Sequence, residues 1–144
     1  MIQLDIILSW GHIGSLWGKG TGKDTIIVYV RPQRYTREFL DQSDTFTLSV
    51  LSPKYKKEYG YFGRISGRDE DKIKNSSLAP IQENNTLYFK ESKLVFVCKK
   101  IFVSKMNEED FIDKVLIKDN NPNKDFHYIY IGEILKVYED LELK

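Results

Sequence analysis

Tyr128-Ile-Tyr-Ile-Gly132-Glu-Ile-Leu-Lys-Val-Tyr138 is rich in β-branched and aromatic residues, with a glycine breaking the apolar run. Such a run predicts a strand, and apolar side chains on both of its faces predict one that is covered on both sides. A glycine inside a strand marks a bulge or a close backbone approach, the device that bends a sheet toward a barrel. Lys93–Val103 reads the same way, almost continuously apolar from Leu94 to Val97. Further strands are expected near Leu4–Trp10, Thr25–Arg31 and Asp44–Leu51, with a shorter one at Thr86–Phe89 after the turn-like Asn84-Asn85.

Short helices fill the gaps. Thr36 can cap a helix running through Phe39 and Leu40 to about Ser43, and Pro53 opens a second with Tyr55, Tyr59 and Phe62 at helical spacing. Ser66-Gly-Arg-Asp69 is close to a capping box, and another short helix is expected over Asn107–Asp113. Strands joined by short helices in 144 residues favour an α+β barrel or compact sheet, in a single domain spanning 1–144, over a doubly wound fold.

Composition removes several function classes. With 41% hydrophobic and 30% charged residues the chain is globular in character, and a net charge of +1 gives no bulk attraction to nucleic acid or anionic lipid. Cys98 is the single cysteine, so neither an intrachain disulfide nor a thiolate cluster can form. His12 and His127 are the two histidines, too few for a three-histidine metal site, and no metal is expected. The apolar start Met1–Leu8 has no cationic leader and meets Ser9 and Gly11 too early for a signal peptide or membrane span. A cytoplasmic protein is expected.

Gly18-Lys-Gly-Thr-Gly-Lys-Asp-Thr25 imitates a phosphate loop, but Trp17 stands where the first glycine is required and Asp24 where Ser or Thr must follow the lysine. A carboxylate there would repel phosphates, so the segment is read as a hairpin turn. Arg31-Pro-Gln-Arg-Tyr-Thr36 is a better anion candidate, because an arginine fork, a hydroxyl and free helix-terminal N–H groups converge. On local chemistry alone a solvated basic turn, with Thr36 only a cap, is the favoured account. Ser66–Lys72 on its residues alone reads as an exposed helix laced by salt bridges. Trp10 and Trp17 among Gly11, Gly14 and Gly18 suit a loop approaching a flat ligand, or buried tryptophans beside a turn. His12 is read as structural, and no catalytic acid–base residue stands out.

Taken in order, Ser9-Trp-Gly-His-Ile-Gly-Ser-Leu-Trp-Gly-Lys19, Val28-Tyr-Val-Arg-Pro-Gln-Arg-Tyr-Thr-Arg-Glu-Phe39, Ser66-Gly-Arg-Asp-Glu-Asp-Lys72 and Tyr130-Ile-Gly-Glu-Ile134 resemble the flavin-reductase-like FMN-binding split barrels, flavoredoxin-like members above all. The resemblance runs from about Ser9 to Tyr138. It implies a mainly β, six-stranded antiparallel split β-barrel with short covering helices, a homodimer, and FMN near the dimer boundary. It implies that the backbone around Leu8, Ser9 and Trp10 lines the isoalloxazine ring. Arg31, Arg34, Tyr35 and Thr36 then surround the phosphate, and Ser66, Asp69 and Lys72 close the ribityl-phosphate end. The implied chemistry is hydride or electron transfer between NAD(P)H or a protein partner and the flavin, with the cofactor supplying the reactivity. Where the family's first shared strand carries asparagine and threonine, this chain has Leu4 and Ile7, and its start reads as shortened. A split-barrel dimer that has lost tight flavin binding is the alternative.

Overall fold

Apolar density and strand periodicity gather most of the chain into one curled sheet. The structure, a computed structural model, describes residues 5–6, 10–64, 68–83 and 86–139. Its strands are β1 (Asp5–Ile6), β2 (Gly11–Leu16), β3 (Lys23–Val30), β4 (Thr45–Leu51), β5 (Pro80–Glu83), β6 (Thr86–Phe89), β7 (Ser92–Lys105) and β8 (Tyr128–Glu139). Helices α1 (Tyr35–Gln42), α2 (Lys56–Arg64) and α3 (Val115–Asn120) lie between them. The main sheet runs β1-β4-β7-β8-β3-β2, and β5 with β6 forms a separate hairpin. The fold is a mainly β split barrel.

One edge corrects the all-antiparallel expectation: β1 pairs with β4 in parallel, Asp5 opposite Thr47. A parallel pair needs a long crossover, and β2, β3 and α1 supply it. Of the expected Leu4–Trp10 strand, Asp5–Ile6 is described as strand, whereas Leu4 and residues 7–9 lie outside the described residues. The glycine-rich stretch after Trp10 is not a loop but the edge strand β2, paired from Gly11 opposite Val28 to Leu16 opposite Lys23. Gly11 is required there, because a Cβ would lie 2.8 Å from the Ile27 carbonyl oxygen. The phosphate-loop imitation is the turn between β2 and β3, closed by the Thr21 N–H donating to the Gly18 carbonyl at 3.1 Å.

Two expected helices also differ. Residues 68–77 fold as successive turns, because Asp71 and Ser76 bond the local backbone in place of helical partners: the Lys74 N–H donates to Asp71 Oδ1 and Ser76 Oγ donates to the Ile73 carbonyl. The helix expected over Asn107–Asp113 is a 3-10 turn at Glu108–Asp110, and α3 follows it.

β3, β4, β7, β8 and α1 share one core of Ile26, Val28, Val30, Leu40, Phe46, Phe96, Cys98 and Tyr130. Burial pushes the Cys98 thiol up to about 12, so it packs as an inert apolar group. A smaller cluster of Leu51, Leu78 and Phe89 takes up Tyr55, Tyr59, Phe62 and Ile73 beneath α2. At the centre of the sheet Gly132 stands opposite Ile26 and Lys100, with register shifts in the β7–β8 pairing on either side, at Val97/Cys98 and Lys100/Phe102. These bulges sharpen the bend that closes the barrel.

A Cβ on residue 132 would lie 2.6 Å from Phe46 Cζ and 2.8 Å from Cys98 Cβ, both on fully buried side chains with no room to retreat. Gly132→Ala is therefore expected to destabilise the fold by roughly 1–3 kcal/mol, the usual cost of overpacking a core. Urea unfolding checks this, and an unchanged midpoint would mean that β8 does not close over Phe46 as described.

Candidate functional site

β3 delivers Val30 into the core and Arg31 to its rim; Pro32 then turns the chain, and the Arg34 N–H donates to the Arg31 carbonyl at 3.1 Å. Arg34, extended at φ −71° and ψ 135°, is the N-cap of α1, so Thr36 lies inside the first turn and is not its cap. α1 is fixed to the barrel from its inner side. The Tyr130 hydroxyl donates to Asp41 Oδ1 at 2.6 Å, Arg37 Nε pairs with Asp41 Oδ2 at 3.3 Å, and the Arg37 guanidinium lies 3.9 Å over the Tyr128 ring. Burial, and then the bond to Asp41, raise the Tyr130 phenol well above its ordinary value.

Arg68 straps the turn segment onto the start of α1. It donates to the Gln33 carbonyl at 2.8 Å, pairs with Glu38 and lies 5.1 Å over the Tyr35 ring. Asp69 beside it is exposed. Lys72, three residues on, donates to the Phe62 carbonyl near the end of α2 at 2.7 Å. Its ammonium is held below the usual lysine range by partial burial and then by the positive charge of Arg34. Arg34 and Lys72 thus lie within electrostatic reach of each other, although 38 positions separate them in sequence. Among the described residues Arg34 forms no ion pair.

A second constellation lies beside the last residues of β3, where Trp10 flanks Tyr29 and His127 precedes the partner of Val30. The Trp10 indole stacks on the His127 imidazole, centroids 4.4 Å apart and planes at 24°. His127 is buried whereas Trp10 is 44% exposed, so the indole is the open face of the pair. Trp17 lies at the far end of β2, 58% exposed and roughly 20 Å away at strand rise, so the two indoles form no common wall. His12 stands edge-on to Tyr29 at 5.5 Å.

Arg31 belongs to this end. Its Nη1 donates to Asp125 Oδ2 at 2.6 Å and its Nη2 to the Asn120 carbonyl at 2.8 Å, while Gln33 Nε2 donates to the same carboxylate oxygen at 2.8 Å. The bond from Gln33, with that from Arg31, brings the Asp125 carboxyl down to about 2 against the penalty of burial. Burial and then Arg31 lower His127, and Asp125 opposes them.

The structure therefore divides the residues expected around a phosphate. Arg34, Tyr35 and Thr36 stand at the start of α1, with Lys72 within reach of the Arg34 charge and Asp69 beside the Arg68 strap; Arg31 is engaged with Asp125; Leu8, Ser9 and Ser66 lie outside the described residues. Asp125, Gln33 and the stacking role of His127 were not anticipated. The available signal was Asp125-Phe-His127 running into a strand, since alternate positions of an extended chain share a face. Among the described residues no group of three or more His, Cys, Asp or Glu could hold a metal ion, and no helix is long and apolar enough to cross a membrane.

The split barrel is the fold of flavin-reductase-type proteins. Residues 23–144 match the flavin reductase like domain, and the chain belongs to that family. Similar solved structures include flavoredoxin of Desulfovibrio vulgaris (Miyazaki F), 23% identical with a TM-score of 0.64 over 91% of this chain and 58% of that one. An FMN-binding protein of Thermus thermophilus with bound 1-cyclohex-2-enone is 17% identical, TM-score 0.64, over 84% and 57%. An NADH:FAD oxidoreductase of Streptomyces globisporus C-1027 is 13% identical, TM-score 0.62, over 88% and 63%. At these identities the likeness is one of fold, and the chain spans 57% to 63% of the length of the three structures. No curated protein matches the sequence.

Because the Asp125 carboxyl lies near 2 when folded against 3.8 ordinarily, its pairing adds stability that is full above about pH 4 and is lost as pH falls toward 2. Asp125→Asn should lower the urea midpoint at neutral pH, and the gap to the wild type should narrow from about pH 4 downward. A gap independent of pH would contradict the pairing with Arg31.

Proposed function

We propose that the chain binds FMN and takes part in hydride or electron transfer between NAD(P)H, or a protein donor, and that flavin. The observation that carries this reading is the cationic corner at the start of α1, where Arg34 caps the helix and its positive charge is felt by Lys72. Lys72 is partly buried and Arg34 exposed; the two like charges repel each other, and Arg34 has no ion pair among the described residues. A bound dianion removes that cost and accepts charge-assisted bonds from both. The Thr36 hydroxyl and the free N–H groups of the first turn of α1 add donors at the same corner.

An FMN phosphate fits this donor set. In this reading Ser66, Asp69 and Lys72 close the ribityl end, Tyr35 flanks the phosphate under the Arg68 strap, and Trp10, with the backbone of Leu8 and Ser9, lines the ring. Bound flavin supplies the redox chemistry, and the chain binds it, orients it and limits the water around it. FMN rather than FAD is the specific proposal, supported by a phosphate corner built from this chain's own cations.

Two copies are proposed to associate in the cytoplasm, with the flavin sites near their boundary. The support is apolar surface. Among the described residues β2 is an edge strand, and Ile13, Trp17 and Leu135 are 61%, 58% and 55% exposed. An uncovered edge beside apolar side chains is a surface that proteins ordinarily pair or hide.

Arg34→Ala and Lys72→Ala each remove a charge-assisted bond of about 1.5–3 kcal/mol, so FMN affinity should fall roughly tenfold or more. Riboflavin, which lacks the phosphate, should lose little. Calorimetry with both ligands decides: equal losses for FMN and riboflavin would mean that these cations serve the fold.

A further inference from the structure

Arg31 stands three residues from Arg34, yet its fork is already occupied within the chain. One arm meets Asp125 Oδ2 at 2.6 Å and the other the Asn120 carbonyl at 2.8 Å. A phosphate approaching this guanidinium would have to displace both partners and would meet a carboxylate whose second oxygen, Oδ1, is buried without a hydrogen bond. Repulsion between that carboxylate and a dianion disfavours the exchange.

We propose that Arg31 is not a phosphate ligand but a positioning residue: by clamping Asp125 and the Asn120 carbonyl it fixes the 120–127 loop so that His127 lies flat against Trp10. Its consequence for cofactor binding rests on the flavin reading above; the clamp itself does not.

Several restraints converge on that loop. Gln33 Nε2 donates to Asp125 Oδ2, so β3 and the turn after it hold one carboxylate from two residues. Asn121 Nδ2 donates to the Asp125 carbonyl at 3.0 Å, and Lys124 takes the left-handed φ of 56° that reverses the chain. Asp125 lies two positions before His127, so holding the carboxylate limits where the chain can carry the imidazole. The Met106 N–H donates to the His127 carbonyl at 3.0 Å, which fixes the backbone from which the ring projects. On the other side the Trp10 carbonyl accepts the Tyr29 N–H at 3.3 Å, so the backbone of Trp10 is tied to β3 two residues before Arg31. The clamp and the stack are thus two ends of one assembly across β3, β8 and the loop. Arg31 acts on the ring end of the site through His127 and Trp10, whereas Arg34 and Lys72 act on the phosphate end.

The charged groups facing His127 are Arg31 from the end of β3 and Asp125 from its own loop, and they act on the imidazole with opposite sign. That opposition supplies a readout that a merely structural role would not move. The chain has two histidines, His12 and His127, so both imidazoles can be followed by NMR through a pH titration. Arg31→Gln should raise the midpoint of His127 and Asp125→Asn, its near-isosteric counterpart, should lower it, with His12 as the internal reference. Calorimetry on the same proteins should show Arg31→Gln weakening FMN and riboflavin by the same factor, about tenfold for one charge-assisted contact. Loss of FMN affinity alone, with His127 unmoved, would overturn the proposal and return Arg31 to the phosphate. Opposite midpoint shifts in a wild type that binds neither flavin would uphold the clamp and sink the flavin reading instead.

Discussion

At Gly132 the central strand of the sheet passes so close to Phe46 and Cys98 that only a hydrogen atom fits between them. Both neighbours are themselves fully buried, and the register shifts on either side show that β7 and β8 bend there. Without this approach β8 would run straight, and Tyr130 and Tyr128 would not sit beneath α1. With it, the Tyr130 hydroxyl reaches Asp41 and the Tyr128 ring receives Arg37, so the position of α1 follows from the closure of the barrel. The first turn of α1 carries Arg34, Tyr35 and Thr36, and their placement is inherited from that contact.

The second determinant is how cations are distributed along β3 and beyond. Arg31, Arg34 and Arg37 are evenly spaced in sequence and meet three different fates. Arg31 is neutralised by Asp125, Arg37 by Asp41, and Arg34 is left beside Lys72. Arg34 is exposed and its charge is screened by water, whereas Lys72 is partly buried. The unpaired corner, strapped in place by Arg68, is the arrangement expected where the compensating charge comes from a ligand.

Much of this was legible in the residues. The strands of the core follow from apolar runs, and Thr86–Phe89 emerged at its expected bounds, because burial on both faces leaves a strand few alternatives. Gly132 was readable as a bend because nothing else explains a glycine amid Ile and Tyr. β2 was not legible: Gly11 and Gly14 signal a loop locally, and only the pairing with β3 makes the segment a strand. The helix expected from Ser66 failed for the related reason that Asp71 and Ser76 compete for the backbone donors. At the site, Arg34 and Lys72 could be nominated from motif order, but the engagement of Arg31 by Asp125 spans 94 positions and has no local signature.

The central claim is that this barrel holds a flavin, and the visible spectrum of the purified protein tests it most directly. Reconstituted with excess FMN and then desalted, the protein should retain the flavin absorption band in proportion to its own concentration. A colourless protein after desalting, with no heat of binding at high micromolar FMN, would contradict the account and leave the split barrel as a scaffold without its cofactor.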